Sequence, residues 1–317
     1  MENRYRIGID LGGTNIAVGL VDENWSITAR CTLSTRAERP AREIIDDMAK
    51  AAETVMAQAQ VEKEACLSVG VGSPGTCDEK TGEILYANNL GWRNVPLAQE
   101  LQKRLGLPVY ISNDANCAAL GEVKAGAAKG CRNALLFTLG TGVGGGIILD
   151  GKIFSGGRSC GAELGHTLLM AEGEPCTCGR RGCIEAYASA TALIRDTKRE
   201  MERTPESLMH AAAEGYGKVN GRVAFDAARQ GDPAAKRVVE NYLRYLGEAV
   251  VDMINIFRPD IFILGGGIAN EGAFLLEPVR AFAARYAYGG ALNPLPEIVC
   301  AALGNDAGII GAAALEG

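Results

Sequence analysis

Histidine is nearly absent from this chain: His166 and His210 are the only two in 317 residues. No Ser/His/Asp arrangement for nucleophilic catalysis is evident. No GxxxxGK[ST] occurs, which excludes a P-loop nucleotide site. No apolar run reaches the length of a membrane-spanning helix. The opening MENRYRIGID lacks the apolar stretch of a secretion signal, so a cytoplasmic protein with no membrane partner is expected. An excess of basic residues is missing too. With 32 Lys and Arg against 38 Asp and Glu, the formal net charge is -6. That balance argues against a nucleic-acid groove and says nothing against a small phosphorylated ligand. Ser/Pro linkers and low-complexity tracts are absent, so no shift in composition marks a domain boundary. What remains is 47% hydrophobic with a mean hydropathy of +0.03, the composition of a globular protein, and a length suited to two domains.

Cysteine is plentiful, at ten residues. In a reducing compartment these are thiols, metal ligands or catalytic groups and not disulfides. Four of them share the stretch 160–185, CGAELGHTLLMAEGEPCTCGRRGCIE, with one of the two histidines. His166, Cys176, Cys178 and Cys183 form a candidate structural Zn2+ site, since zinc takes four nitrogen or thiolate ligands in a tetrahedron. The CxCxxxxC spacing is not that of a common zinc finger. The competing reading is a group of buried free thiols, although Pro, Thr, Gly and Arg leave the cysteines little apolar surrounding. Cys160 is a spare candidate ligand. Glu163 and Glu185 flank the cluster, where a metal-fixed loop would hold both carboxylates rigid for a polar substrate. His210 has no partner nearby in sequence and reads as a surface or core residue.

Glycine marks two further places. Tyr5 to Asp10, then LGGTN, then IAVGLVD read as two strands joined by a Gly-Gly turn. Backbone N–H groups in such a turn can approach phosphate oxygens closely, although a plain β-turn uses the same residues. The stretch NALLFTLGTGVGGGIILD, Asn133 to Asp150, repeats the pattern. At an offset of 128, Leu139 falls on Leu11, Gly140 on Gly12 and Asp150 on Asp22. This predicts a duplicated unit, each half offering a phosphate-binding hairpin. Gly140, Gly142 and Gly145 also satisfy GxGxxG. The dinucleotide fingerprint needs a helix after the turn, and here strand residues Ile147 to Leu149 and an Asp-Gly turn follow, so a nicotinamide enzyme is discounted.

Between the hairpins helix and strand alternate. Pro40 to Gln60 places Ile44, Ile45, Met48, Ala52, Val55 and Met56 on one helical face. Leu67 to Gly72 reads as a strand running into Ser-Pro-Gly. Leu97, Leu101 and Leu105 recur every four residues and Gly106 ends their helix. Val109 to Ser112 is a strand, followed by a helix starting in NDAN. Asn113 and Asp114 thus stand where a strand meets a helix N-terminus. One of them is the N-cap on one reading; on the other, Asp114 takes a proton from a substrate hydroxyl, kept ionised by the helix end. Later segments predict a helix over 184–201 with Glu185 in its first turn, and a long amphipathic helix over 233–257. A strand over 260–264 enters Gly265-Gly266-Gly267, a third glycine-rich place where backbone could touch a nucleotide. Glu297 to Leu303 reads as a strand and Asp306 to Leu315 as a short Ala/Gly-rich helix.

DLGGTN, NDAN, LGTGVGGG, GAELGH and CTCGRRGCIE together resemble the ROK family (repressors, open reading frames and sugar kinases) over nearly the whole chain. ANNLGW, Ala87 to Trp92, looks most like the bacterial glucokinases of that family. The resemblance implies an α/β, actin/hexokinase-like (ribonuclease H-like) duplicated fold, two domains with ATP in a cleft between them. The expected division is 1–120 as a small N-terminal domain, joined by the C-terminal helix 306–317, and 121–305 as a larger domain carrying the zinc loop 160–185. The implied activity is ATP-dependent phosphorylation of glucose at O6. Asp114 becomes the general base, and with Gly75, Asn89, Asn113, Glu163, His166 and Glu185 it also binds the sugar. Asp10, Gly12, Gly13, Thr14 and Asn15 meet ATP phosphates and Mg2+. Thr141 and Gly142 cradle phosphate, and Gly265 and Gly266 lie near adenosine. His166, Cys176, Cys178 and Cys183 hold zinc, His166 through one ring nitrogen with the other toward the sugar.

Two departures stand out. Many members carry Lys where this chain has Asn15, and a valine is usual before Asp78 where this chain has Cys77. The rival readings are a kinase for N-acetylmannosamine, N-acetylglucosamine, allose or fructose, and a sugar-responsive regulator. Repressors of the family carry a DNA-binding segment ahead of DxGGT, whereas nine residues precede Asp10 here. A homodimer is what the resemblance suggests.

Overall fold

A computed structural model describes residues 4–316. The first sheet begins with β1 (Tyr5–Leu11), β2 (Asn15–Val21) and β3 (Ile27–Ser34), an antiparallel meander in which Ile9 faces Val18 and Val18 faces Cys31. Helix α1 (Ala41–Ala59) follows and buries Ile44, Ile45, Met48, Ala52 and Val55, the face expected from the 3.6-residue period. It ends where Gln60 turns left-handed, at φ 54°. Then come β4 (Cys66–Ser73), a small sheet of β5 (Thr76–Asp78), β6 (Glu83–Ala87) and β7 (Trp92–Val95), and α2 (Leu97–Leu105), closed by Gly106 at φ 65°. β8 (Val109–Asn113) pairs parallel with β4 and runs directly into α3 (Asp114–Ala125).

The second sheet starts at β9 (Ala134–Leu139), β10 (Val143–Leu149) and β11 (Lys152–Ile153). After the cysteine-bearing loop, a helical layer is made of α4 (Glu185–Ala188), α5 (Ala190–Arg203), α6 (Met209–Gly215), α7 (Val223–Arg229) and α8 (Pro233–Phe257). β12 (Ile261–Gly265), α9 (Ala273–Tyr286), β13 (Glu297–Cys300) and α10 (Asp306–Ala313) complete the chain. The sheet orders are β3-β2-β1-β4-β8 and β11-β10-β9-β12-β13. Taken in chain order within each sheet both read third, second, first, fourth, fifth, which is the duplication predicted from the glycine turns. β10 starts inside the GxGxxG run, so no helix follows that turn. Among the described residues no helix is long and apolar enough to cross a membrane.

The chain divides into two compact units: Met1–Leu135 with Gly146–Ala162 and Ala302–Gly317, and Leu136–Gly145 with Glu163–Ala301. In the first, α10 lies directly on β1, β4 and α3. A Cβ at Gly8 would stand 1.9 Å from the Ile309 carbonyl oxygen, one at Gly70 1.7 Å from that of Ala312, and one at Gly311 1.6 Å from that of Cys117. Only glycine allows backbones this close. In the second, α8 supplies the largest buried face. Asp232 caps it by accepting from the Ala235 N–H at 2.8 Å, with Pro233 at its first position.

The helix expected over 184–201 is two helices. Ser189, at φ -82° and ψ 163°, leaves the helical region and its hydroxyl accepts from the Ala192 N–H at 3.0 Å. A serine whose side chain can cap a new helix competes with continuation of the old one. The strand over 297–303 is shorter than expected, ending at Cys300.

Candidate functional site

In the first unit, β1 delivers Asp10 to the head of the Gly12-Gly13-Thr14 turn. The Gly12 N–H donates to the Asn15 carbonyl at 2.9 Å. Thr35, fully buried just past β3, clamps this turn twice: its hydroxyl donates to the Gly12 carbonyl at 2.7 Å and its N–H to the Thr14 carbonyl at 2.8 Å. Thr35 escaped the sequence reading because nothing in one β-branched residue after a strand marks it as a clamp. A Cβ at Gly13 would touch the Cβ of Asn89 at 3.3 Å, so the turn and the Asn88–Leu90 segment are in contact.

Of the two residues, the N-cap falls to Asn113 and not to Asp114. Asn113 is the N-cap of α3, its side-chain oxygen accepting from the Ala115 N–H at 2.9 Å. Its amide nitrogen donates to the Gly75 carbonyl at 3.1 Å. Asp114 occupies the first helical position and also accepts from the Ala115 N–H, at 2.8 Å. Asp10 is its electrostatic neighbour. Burial pushes the Asp10 carboxyl up to about 6, and the Asp114 charge adds to the rise. A Cβ at Gly308 would stand 2.8 Å from the Asp10 carboxyl, so that carboxyl faces the first turn of α10. Cys77, at one of the two departures, is buried and its thiol donates to the Ser73 carbonyl at 3.9 Å.

In the second unit, the Gly140-Thr141-Gly142 turn is held by the start of α5. The Ala190 N–H donates to the Gly140 carbonyl at 2.8 Å and the Thr191 hydroxyl to the Thr141 carbonyl at 2.7 Å. Glu185 opens α4 and points back at this turn. One carboxylate oxygen accepts from the Val143 N–H at 3.1 Å, and the other from the Thr177 hydroxyl at 2.8 Å. A Cβ at Gly142 would lie 2.2 Å from that carboxylate. Gly266, at φ 83°, sits against the Leu139 carbonyl, where a Cβ would come within 2.5 Å. The glycine turn, the end of β12 and Glu185 thus meet. Glu163 is exposed, and the His166 N–H donates to its carbonyl at 3.0 Å.

His166, Cys176, Cys178 and Cys183 converge. Their ligand atoms all lie within 4.8 Å of one another. His166 Nδ1 is 3.6 Å from Cys176 Sγ, and Cys178 Sγ is 3.7 Å from Cys183 Sγ. The loop is tied by the Cys176 N–H to the Arg180 carbonyl at 2.8 Å and the Gly182 N–H to the Glu174 carbonyl at 2.8 Å. Burial and the neighbouring thiols push Cys183 up to about 12. Burial raises Cys176, while the Arg180 N–H lowers Cys178. Without a cation the neighbouring thiols favour ionisation of Cys178 and oppose that of Cys183; a dication at their centre favours all three thiolates. Three thiols and one imidazole at this spacing fit a tetrahedral zinc. Cys160 stands apart from the four, its thiol donating to the Arg158 carbonyl at 3.0 Å.

The sequence profile of the ROK family matches residues 6–316. A glucokinase of Streptomyces coelicolor is 40% identical over 312 residues, covering 98% of this chain and 96% of its own. A glucokinase of Thermotoga maritima is 40% identical over 310 residues, again 98% of this chain and 96% of the relative. The crystal structure of a ROK family glucokinase from Streptomyces griseus, in complex with glucose and AMPPNP, superposes with a TM-score of 0.82 at 38% identity, covering 98% of each chain. The duplicated α/β fold is thus the one found in these sugar kinases.

Proposed function

This chain belongs to the ROK family, and from that premise we propose that it is a glucokinase: it transfers the terminal phosphoryl group of ATP to O6 of glucose, giving glucose 6-phosphate and ADP. The observation that carries the reading is the setting of Asp114, a carboxylate at the start of α3 whose neighbour Asn113 is locked to Gly75. Full-length similarity to glucokinases supports it.

Phosphoryl transfer asks a protein mainly for positioning and charge stabilisation. Asp114 accepts the proton from the sugar hydroxyl as that oxygen attacks phosphorus. Gly75, Asn89, Asn113, Glu163, His166 and Glu185 orient the sugar hydroxyls, and Glu185 is itself oriented by Val143 and Thr177. Backbone N–H groups of the two glycine turns receive phosphate oxygens, with Thr14, Asn15 and Thr141 beside them and Gly265 and Gly266 toward adenosine. Asp10 is the acidic group suited to holding Mg2+, which when bound neutralises phosphate charge. His166, Cys176, Cys178 and Cys183 would hold Zn2+, which when bound would clasp the loop between Glu163 and Glu185.

A coupled ADP-release assay with ATP and Mg2+ over glucose, fructose, allose and the N-acetylhexosamines tests the reading. Selective turnover of glucose is expected; selective turnover of another sugar replaces the substrate and keeps the chemistry. Asp114→Asn should bind glucose with near wild-type affinity and lose roughly 10²- to 10⁴-fold in kcat. Retention of wild-type kcat removes Asp114 as the base.

A further inference from the structure

A carboxylate in the first unit that the mechanism does not use, Glu79, joins two segments distant in sequence. One of its oxygens accepts from the Ser112 hydroxyl at 2.6 Å, and the other from the Ser155 hydroxyl at 2.8 Å. Its own N–H donates to the Ser159 hydroxyl at 3.4 Å. Ser112 is fully buried in β8, immediately before Asn113 and Asp114. Ser155 and Ser159 belong to the segment that runs on in the chain to Glu163. That segment holds unfavourable backbone: Arg158, Ser159 and Ala162 have φ of 59°, 54° and 65°. Left-handed conformations of non-glycine residues persist only where surrounding contacts impose them, and Glu79 supplies such contacts at two points.

Glu79 also lines a cavity of about 1040 Å³ with Lys80, Lys124, Lys152, Glu83 and Glu316 among the other walls. Three lysines and three glutamates line it, and its interest is that its wall includes this carboxylate.

We propose that Glu79 is a positioning residue for sugar binding: one carboxylate ties the strand that carries Asn113 and Asp114 to the segment 155–162, and so fixes the distance between the base and the chain leading into Glu163. The proposal rests on the glucokinase reading. Glu79 touches no reacting atom on this account; it acts through Ser112 and Ser155. A carboxylate suits the task because it accepts from both hydroxyls at once, and small displacements of groups that position a substrate cost rate steeply.

The test compares Glu79→Ala, Glu79→Gln, Ser155→Ala and the Glu79→Ala/Ser155→Ala double variant in the full chain. Glu79→Ala should raise KM for glucose about tenfold or more with KM for ATP unchanged, and should speed amide hydrogen exchange across 155–162. Glu79→Gln retains two polar atoms that can meet the serine hydroxyls and should stay within about threefold of wild type. Ser155→Ala should have its own smaller effect, which vanishes in the Glu79→Ala background if both act through one contact. Unchanged exchange in Glu79→Ala overturns the tether whatever the enzyme phosphorylates. Faster exchange with unchanged KM for the substrate sugar overturns the positioning role. A wild-type protein inactive on every sugar defeats the glucokinase reading alone, since the exchange measurement needs no substrate.

Discussion

Asp10 shows at the scale of one residue how a functional group costs stability. Its carboxyl ionises near 3.8 in an unfolded chain and at about 6 in the folded protein. Between those values the native state holds a proton that the unfolded state has lost, so the stabilisation from the raised value is fully present below pH 3.8 and is lost as pH rises through about 6. Above that, ionised Asp10 burdens the fold by up to about 3 kcal/mol, at 1.36 kcal/mol per unit. Asp10→Asn keeps the shape and removes the charge. Its melting temperature should exceed that of the wild type by a margin that is small at pH 4 and grows through pH 6 to 8, while ATP-dependent activity falls. A margin independent of pH would show that Asp10 is not the group titrating. The sequence marked Asp10 as an acid ending a strand before Gly-Gly. It did not show the burial or the Asp114 charge, because both come from residues distant in the chain. The same limit hid Thr35 and Glu79, whose roles are made of contacts and not of spacing.

At the scale of elements, periodicity read α1, α2 and α8 closely, because each turns a regular apolar stripe toward one layer, while α3 was marked only by the NDAN start at its N-terminus. It read one helix across Ser189 because the apolar spacing continues while the backbone does not. It passed over α6, α7 and α9, and α9 carries Pro278 inside it, a residue that argues against helix in any local reading. Strand interiors held the more useful signal. Gly8 and Gly70 are poor strand formers, and the packing of α10 accounts for them. Gly70→Ala would drive a Cβ to 1.7 Å from the Ala312 carbonyl, backbone that cannot swing aside. It should cost about 3 kcal/mol or more, read as a lower urea midpoint at unchanged m-value. Gly215→Ala, where a Cβ meets nothing within 4 Å at the end of α6, is the control. It should be neutral or stabilising by up to about 1 kcal/mol. Equal effects at the two positions would break the link between close approach and stability.

At the scale of the molecule, the offset of 128 between two glycine turns was enough to foresee a duplicated unit, and the structure adds that the two sheets share one strand order. The small sheet of β5, β6 and β7 was not foreseen, since strands of three to five residues carry too few alternations to register. The cluster of His166, Cys176, Cys178 and Cys183 was legible because the four residues are close in sequence as well as in space. Ligand binding tests the glucokinase reading on the molecule as a whole. Glucose that binds only the folded protein adds RT ln(1 + [L]/Kd), or about 2.7 kcal/mol at a hundredfold excess over Kd, a rise of a few degrees in melting temperature. Asp114→Asn should keep this rise, because a base acts on the proton in flight and adds little to ground-state affinity. Protein stripped of zinc, with metal loss verified by elemental analysis, should lose most of it, because the loop that orients His166 and flanks Glu163 and Glu185 is then unclasped. The two outcomes separate catalysis from recognition: a rise that survives zinc removal would leave the metal no part in holding the sugar, and a rise lost in Asp114→Asn would make that carboxylate a ligand before it is a base.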